Sequence, residues 1–130
     1  MNVHERSNES LILPLESTTV EQAAEMYAHI GFAPVPVHGT NGDKCACGRS
    51  DCAAQGKHPV GANWQRRASA DLERTRELFR DHDGNIGIVV GDNHVVIDID
   101  LYKGGARGLE ELPPMPPTLT SESGSHQGQH

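Results

Sequence analysis

The chain has 130 residues, of which 35% are hydrophobic and 4% aromatic, and its formal net charge at pH 7 is −7. The length fits one domain of ordinary size, and the low apolar content indicates partial disorder or a core completed by a further segment. The net negative charge is not typical of nucleic-acid-binding proteins, and no apolar run approaches the ~20 residues of a membrane span. Because residues 1–10 lack the basic and apolar regions of a signal peptide, we expect a cytoplasmic protein without a membrane partner.

The first predicted elements are an arm, a helix and an extended segment. Residues 1–16 are expected to form a flexible arm that precedes the folded domain, residues 17–130. A capping box at residues 18–21 and apolar residues at helical spacing predict a helix over residues 19–30, ended by Gly31. Two prolines confine the extended segment that follows, residues 32–37, to a sheet edge or a strand end.

A cysteine-rich loop is predicted over residues 39–62, which are rich in glycine and lack periodicity. The loop contains the pattern C-x-C-x4-C-x5-H, formed by Cys45, Cys47, Cys52 and His58. Three thiolates and one imidazole suit the tetrahedral preference of Zn²⁺, and a closed set of four ligands is structural in character. Three cysteines cannot all pair in disulfides, so we predict a zinc-stabilised loop, with unrelated free thiols as the alternative.

A second helix and a hairpin are predicted next. Ser69 can cap a helix over residues 70–81, and the arginines of residues 66–80 form either a basic face or a mixed-charge solvated surface. Residues 85–90 and 95–100 alternate in strand fashion around a tight turn, which predicts a β-hairpin. After Tyr102 only a short helix near Leu109 is expected. These elements indicate an α+β fold, in which helices pack on one face of a small, mostly antiparallel sheet.

Two acidic residues, Asp98 and Asp100, alternate with apolar residues at the end of the predicted hairpin. In a strand these carboxylates share one face, about 7 Å apart. Their repulsion is relieved when a divalent cation such as Mg²⁺ or Mn²⁺ binds both and bridges them to the phosphates of a substrate. The alternative is a solvent-facing edge whose acids only aid solubility.

The C-terminal run, residues 118–130, combines serine, glycine and histidine. Such a run gives a flexible backbone with free amides, which suits close approach of phosphates. A terminal segment of this composition is also typical of disorder.

The order of these motifs resembles the N-terminal domain of bifunctional DNA primase/polymerases, a family of the archaeo-eukaryotic primase superfamily that occurs in plasmids, phages and mobile elements. The resemblance covers residues 20–130. The runs that carry it are Tyr27-Ala28-x-x-Gly31-Phe32, Gly56-Lys57-His58-Pro59, Trp64, Ala68-x-x-Asp71, Asn85-Ile86-Gly87-Ile88-x-x-Gly91, Val96-Ile97-Asp98-Ile99-Asp100, Gly104-Gly105 and Pro117-Thr118.

The resemblance implies two-metal nucleotidyl transfer in DNA replication. Asp98 and Asp100 would be catalytic residues that hold Mg²⁺ or Mn²⁺, and the zinc would be structural. A DNA template with its primer and deoxynucleoside triphosphates would be the partners, and a helicase domain or protein is a further expected partner.

The resemblance also implies a nucleotide-binding motif in the C-terminal run, where Ser123, Gly124 and Ser125 would contact phosphates. The motif histidine is His126 in one register and His130 in the other. We favour His130 as the catalytic histidine, because Gly128 stands two residues before it as in the family pattern. Lys57 is a further candidate for the nucleotide, although a solvated loop lysine is the more common case.

The family's core continues beyond this histidine with an aromatic-rich strand and a later acidic motif, which residues 1–130 do not contain. We therefore expect a partial primase/polymerase core, from a fragment or a degenerate gene, with weak or no activity of its own. Two other classes stay open. One is a non-enzymatic, zinc-stabilised nucleic-acid-binding module that uses residues 66–80, and the other is a metal-dependent glycosyltransferase that uses nucleotide sugars.

Overall fold

A computed structural model of the chain describes residues 18–122 and 128–129. The described residues fall into two compact units, residues 18–93 and the residues from His94 onward. The predicted arm, residues 1–16, and the motif residues 123–126 and 130 lie outside the described residues. Within the described part, no helix is long and apolar enough to cross a membrane.

The first unit contains three helices and four strands. In chain order they are α1 (Val20–His29), β1 (Ala33–Val37), β2 (Thr40–Asn41), β3 (Lys44–Cys45), α2 (Trp64–Arg67), α3 (Leu72–Leu78) and β4 (Asn85–Val89). Helix α1 begins with a capping box one residue later than the predicted box of residues 18–21: the Thr19 hydroxyl accepts from the Gln22 amide, and the Gln22 side chain accepts from the Thr19 amide. The predicted first helix is therefore confirmed within one residue at each end.

The sheet of this unit pairs β1 with β4 in antiparallel fashion, from Ala33 opposite Val89 to Val37 opposite Asn85. The other edge of β1 receives the end of the cysteine-rich loop. There the His38 amide donates to the His58 carbonyl over 3.0 Å, and the Val60 amide donates to the Pro36 carbonyl over 2.9 Å. Among residues 18–122 and 128–129, β1 pairs with one regular strand, which agrees with the prediction that its prolines confine it to a sheet edge or a strand end.

The core lies where α1 and α3 pack against each other and against β1. Phe79 and Ala24 are completely buried there, and Val35 is almost so. Thr75 is also buried, and its hydroxyl donates to the Asp71 carbonyl over 2.8 Å, so the polar group is satisfied. Small residues on α1 let the two helices approach closely, and helices on one face of a small antiparallel sheet confirm the predicted α+β class.

The second unit is built around the acidic run. In chain order it contains β5 (Ile99–Asp100), a 3₁₀ turn (Leu101–Lys103), α4 (Gly105–Glu110) and β6 (Gly128–Gln129). Strands β5 and β6 are antiparallel, with Asp100 opposite Gly128. The short helix expected near Leu109 is thus present as α4.

Two predictions of local structure are wrong. The hairpin of residues 85–90 and 95–100 does not form, because β4 pairs with β1 and only Ile99–Asp100 of the later run is a strand, paired with β6. The alternation of residues 95–98 suits a strand, but a strand also needs a partner backbone, which local sequence does not supply. The second helix is shorter than residues 70–81, since the Asp71 side chain, and not that of Ser69, caps it.

Candidate metal and nucleotide sites

The predicted zinc ligands come together in one cluster. The ligand atoms of Cys45, Cys47, Cys52 and His58 all lie within 4.8 Å of one another. The Cys45 and Cys52 sulfurs lie 3.4 Å and 3.5 Å from Nε2 of His58. A tetrahedral zinc with bonds of about 2.3 Å to sulfur and about 2.0 Å to nitrogen would place these atoms about 3.5 Å apart. This Cys₃His cluster could therefore hold a structural zinc ion.

Two local structures place the ligands. The β2–β3 hairpin carries Cys45 at its end, and the Ala46 amide donates to the Gly39 carbonyl over 2.9 Å. A backbone hydrogen bond fixes the position of His58: its carbonyl accepts from the His38 amide at the edge of β1. The hairpin within the loop was not predicted, because a two-residue strand pair leaves no periodic pattern in the sequence.

The protonation of the thiols suits a cation site. The Gly56 amide, which donates to the Cys45 sulfur over 3.4 Å, and the Cys47 amide lower the pKa of Cys45 to about 6. The Ala54 amide favours the thiolate of Cys52, but burial and the sulfurs of Cys45 and Cys47 outweigh it and raise that pKa. One thiolate is therefore preformed, and a bound metal ion would deprotonate its neighbours, since coordinated thiols lose their protons.

Two side chains that sequence reasoning missed attach this loop to the rest of the unit. The Asn85 amide, at the start of β4, donates to the Gly56 carbonyl over 2.9 Å and to the His38 carbonyl over 3.3 Å. The Arg67 guanidinium donates to the Val60 carbonyl, just after the last ligand. The partners of Asn85 lie 29 and 47 residues away, so the only signal for these bonds was an asparagine at the head of an apolar strand. Arg67 is seven residues from its partner, but no periodic pattern signals that bond.

The acidic pair lies in the second unit. Asp100 is half-buried at the end of β5, and Asp98 is exposed just before this strand. Nζ of Lys103 donates to Oδ2 of Asp100 over 2.9 Å. The Asp100 carboxylate raises the pKa of Lys103 most, and the Tyr102 side chain and the charge of Asp98 raise it further. The Asp100 carboxylate thus binds this ammonium directly, whereas Asp98 acts on it only through its charge.

A glycine pair shapes the chain around Asp100. Gly104 has a φ of 82°, a left-handed conformation that closes the 3₁₀ turn. A Cβ on Gly105 would lie 2.7 Å from the Asp100 carbonyl oxygen. The start of α4 thus packs directly on the Asp100 backbone, and the chain reverses tightly enough for Lys103 to reach this residue.

Gly105→Ala is therefore expected to displace the Asp100 backbone and to destabilise the second unit by about 1–3 kcal/mol, the usual cost of overpacking. Gly108→Ala is the matched control, because its Cβ would meet nothing within 4 Å and it lies inside α4. There alanine should stabilise the helix by up to ~1 kcal/mol. Urea unfolding and the amide NMR shifts of residues 98–103 measure both effects, and equal behaviour of the two variants would contradict this packing.

The predicted nucleotide-binding residues are placed as follows. Lys57 is exposed in the cysteine-rich loop of the first unit. Ser123, Gly124, Ser125, His126 and His130 lie outside the described residues. Between residues 123 and 130, the structure describes only the backbone of Gly128–Gln129, which pairs with β5.

The model of the family described as bifunctional DNA primase/polymerase, N-terminal, matches residues 23–130. The chain therefore belongs to this family, as its motifs predicted. Membership supports a primase/polymerase type of function, with DNA and nucleotides as the substrates of the family. A search of curated proteins and a search of solved structures each gave no match.

Proposed function

We propose that this domain takes part in two-metal nucleotidyl transfer, in which a deoxynucleotide is added to the 3′-hydroxyl of a DNA primer and pyrophosphate is released. The observation that supports it most is the half-buried Asp100 at the end of β5, whose carboxylate already binds an ammonium over 2.9 Å, with Asp98 two residues before it in the sequence. These two carboxylates would hold Mg²⁺ or Mn²⁺, hard cations that prefer oxygen ligands. Such ions activate an attacking hydroxyl and stabilise the leaving phosphate oxygens.

The C-terminal run is proposed to bind the phosphates of the incoming nucleotide through Ser123, Gly124, Ser125 and either His126 or His130. The register of β6 supports this role, because Gly128 of the same run lies directly opposite Asp100. His130 remains the favoured catalytic histidine, since it is two residues from Gly128 in the sequence. For Lys57 the proposal rests on the family resemblance and on the exposure of its side chain.

The Cys₃His cluster is proposed to bind one structural Zn²⁺ ion. Its ligand spacing and the lowered pKa of Cys45 support the assignment. We retain the interpretation of residues 17–130 as one primase/polymerase-like domain that contains this loop. Origin in a mobile element, a helicase partner and cytoplasmic localisation stay predictions.

The first experiment is calorimetric titration of a deoxynucleoside triphosphate into the protein with and without Mn²⁺. The double variant Asp98→Asn, Asp100→Asn is expected to lose the metal-dependent binding, because amides cannot neutralise the cations. The double variant Glu110→Gln, Glu111→Gln removes the same charge from exposed positions of α4 and should bind like the unchanged protein. Equal binding by all three proteins would overturn the proposed role of the acidic pair.

Two other outcomes would favour the alternative classes. Arg66, Arg74 and Arg80 are exposed. None of them forms an ion pair with another described side chain, so they could contact phosphates. Salt-dependent DNA binding that survives loss of both aspartates, without nucleotide binding, would favour a nucleic-acid-binding module. Binding that requires the sugar of a nucleotide sugar would favour a glycosyltransferase.

A further inference from the structure

Lys103 is the nearest cation to the acidic pair. Its ammonium lies 2.9 Å from Oδ2 of Asp100 and 5.1 Å from the centre of the Tyr102 ring. The lysine side chain is 65% exposed and that of Asp100 is 38% exposed, so the ion pair faces water on one side. Such an exposed pair is weak and can open readily.

A divalent cation and this ammonium compete for the same oxygens. A metal ion on Asp100 would lie within a few ångström of Nζ, and two cations at that distance repel each other. The side chain then has to leave the carboxylate, but the 3₁₀ turn that ends at Lys103 and the tight packing of Gly105 keep its backbone beside Asp100. The displaced ammonium therefore stays close to whatever anion the metal ion recruits.

We propose that Lys103 is a resident counter-ion of the acidic pair, which a divalent metal ion displaces and which then binds the phosphates of the incoming nucleotide. The inference rests on the proposed function and assigns a nucleotide-binding residue to the same site. The ammonium is a compact charge on a flexible stem with three donors, which suits a change of partner from carboxylate to phosphate. The neighbouring Tyr102 ring also contacts the ammonium while it is paired with Asp100.

The test compares Lys103→Met with the unchanged protein in two titrations at 0.15 M salt, first with Mn²⁺ alone and then with a deoxynucleoside triphosphate in saturating Mn²⁺. Loss of the competing ammonium should tighten Mn²⁺ binding about two- to fivefold, the equivalent of one exposed ion pair. Loss of a charge-assisted phosphate contact should weaken nucleotide binding about tenfold. The two effects have opposite signs, which a variant that is merely misfolded cannot produce.

Two variants serve as controls. Lys103→Arg keeps the positive charge, so in both titrations it should lie closer to the unchanged protein than Lys103→Met does. Arg107→Met removes one positive charge from an exposed position of α4 and should change neither affinity, because its charge is screened at this salt concentration.

The outcomes separate this inference from the proposed function. If Mn²⁺ binds and the Asp98→Asn, Asp100→Asn variant abolishes binding, but Lys103→Met matches the unchanged protein, only the role of Lys103 is overturned. If Mn²⁺ affinity rises while nucleotide affinity stays the same, the phosphate-binding half is overturned. If neither the unchanged protein nor the Lys103→Met variant binds Mn²⁺ through the two aspartates, the proposed function fails, and this inference fails with it.

Discussion

Replacing Cys45 with serine is expected to abolish zinc binding and to unfold the cysteine-rich loop. A serine hydroxyl does not ionise near neutral pH, whereas the pKa of Cys45 is lowered to about 6. Between residues 38 and 61, all of which the structure describes, Cys45 is the one buried residue, so the loop has no apolar core of its own. For such a segment the free energy of metal binding, about 10–16 kcal/mol in zinc-finger peptides, is also folding free energy.

The measurements are zinc content by elemental analysis and hydrogen exchange across the loop. The unchanged protein should contain one zinc ion per chain and should lose its loop protection when a chelator removes the metal. Ser50→Ala is the control, because this loop residue is exposed and is not among the clustered ligands. A loop that stays protected in Cys45→Ser, or in the presence of chelator, would show that the backbone bonds to β1 and Asn85 suffice without metal.

Replacing Phe79 with alanine is expected to destabilise the first unit by about 3–5 kcal/mol, the usual cost of removing a buried aromatic ring. Phe79 is 0% exposed and follows α3 directly, where its ring has an edge-to-face contact with His82. A small domain has a total stability of about 5–15 kcal/mol, so this single change removes much of it. Urea unfolding followed by circular dichroism measures the loss.

Ile30→Ala is the control for this change, because Ile30 is 45% exposed at the end of α1. It should change the free energy of unfolding by less than about 1 kcal/mol. If the two variants are equally stable, Phe79 is not the centre of the core, and the packing of α1 on α3 must be carried by other residues.

Features that depend on neighbouring residues were predictable from the sequence. The first helix needs only local contacts and was predicted within one residue at each end, although its capping box lies one residue later than predicted. The metal ligands follow a spacing that is itself a signal. The family was also predictable, since the family model matches residues 23–130, which contain nearly all of the motifs that suggested it.

Features that depend on distant partners were not predictable. The predicted hairpin of residues 85–100 does not form, because β4 pairs with β1, some fifty residues earlier in the chain. The bonds from Asn85 to the cysteine-rich loop join residues far apart in sequence. The ion pair of Lys103 with Asp100 is local, but it spans a 3₁₀ turn that a reading of charges alone does not reveal.

The two prolines of β1 have a consequence for self-association. Along a strand, the backbone N–H and C=O groups of successive residues point alternately to the two edges. In β1 the backbone groups of Val35 and its odd-numbered neighbours point to β4, so those of Pro34 and Pro36 point to the opposite edge. That edge offers carbonyl groups but lacks the two amide hydrogens that a foreign strand would need. If loss of metal detached residues 58–60, the bared edge would be a poor template for amyloid-like stacking, so the metal-depleted protein should stay dispersed.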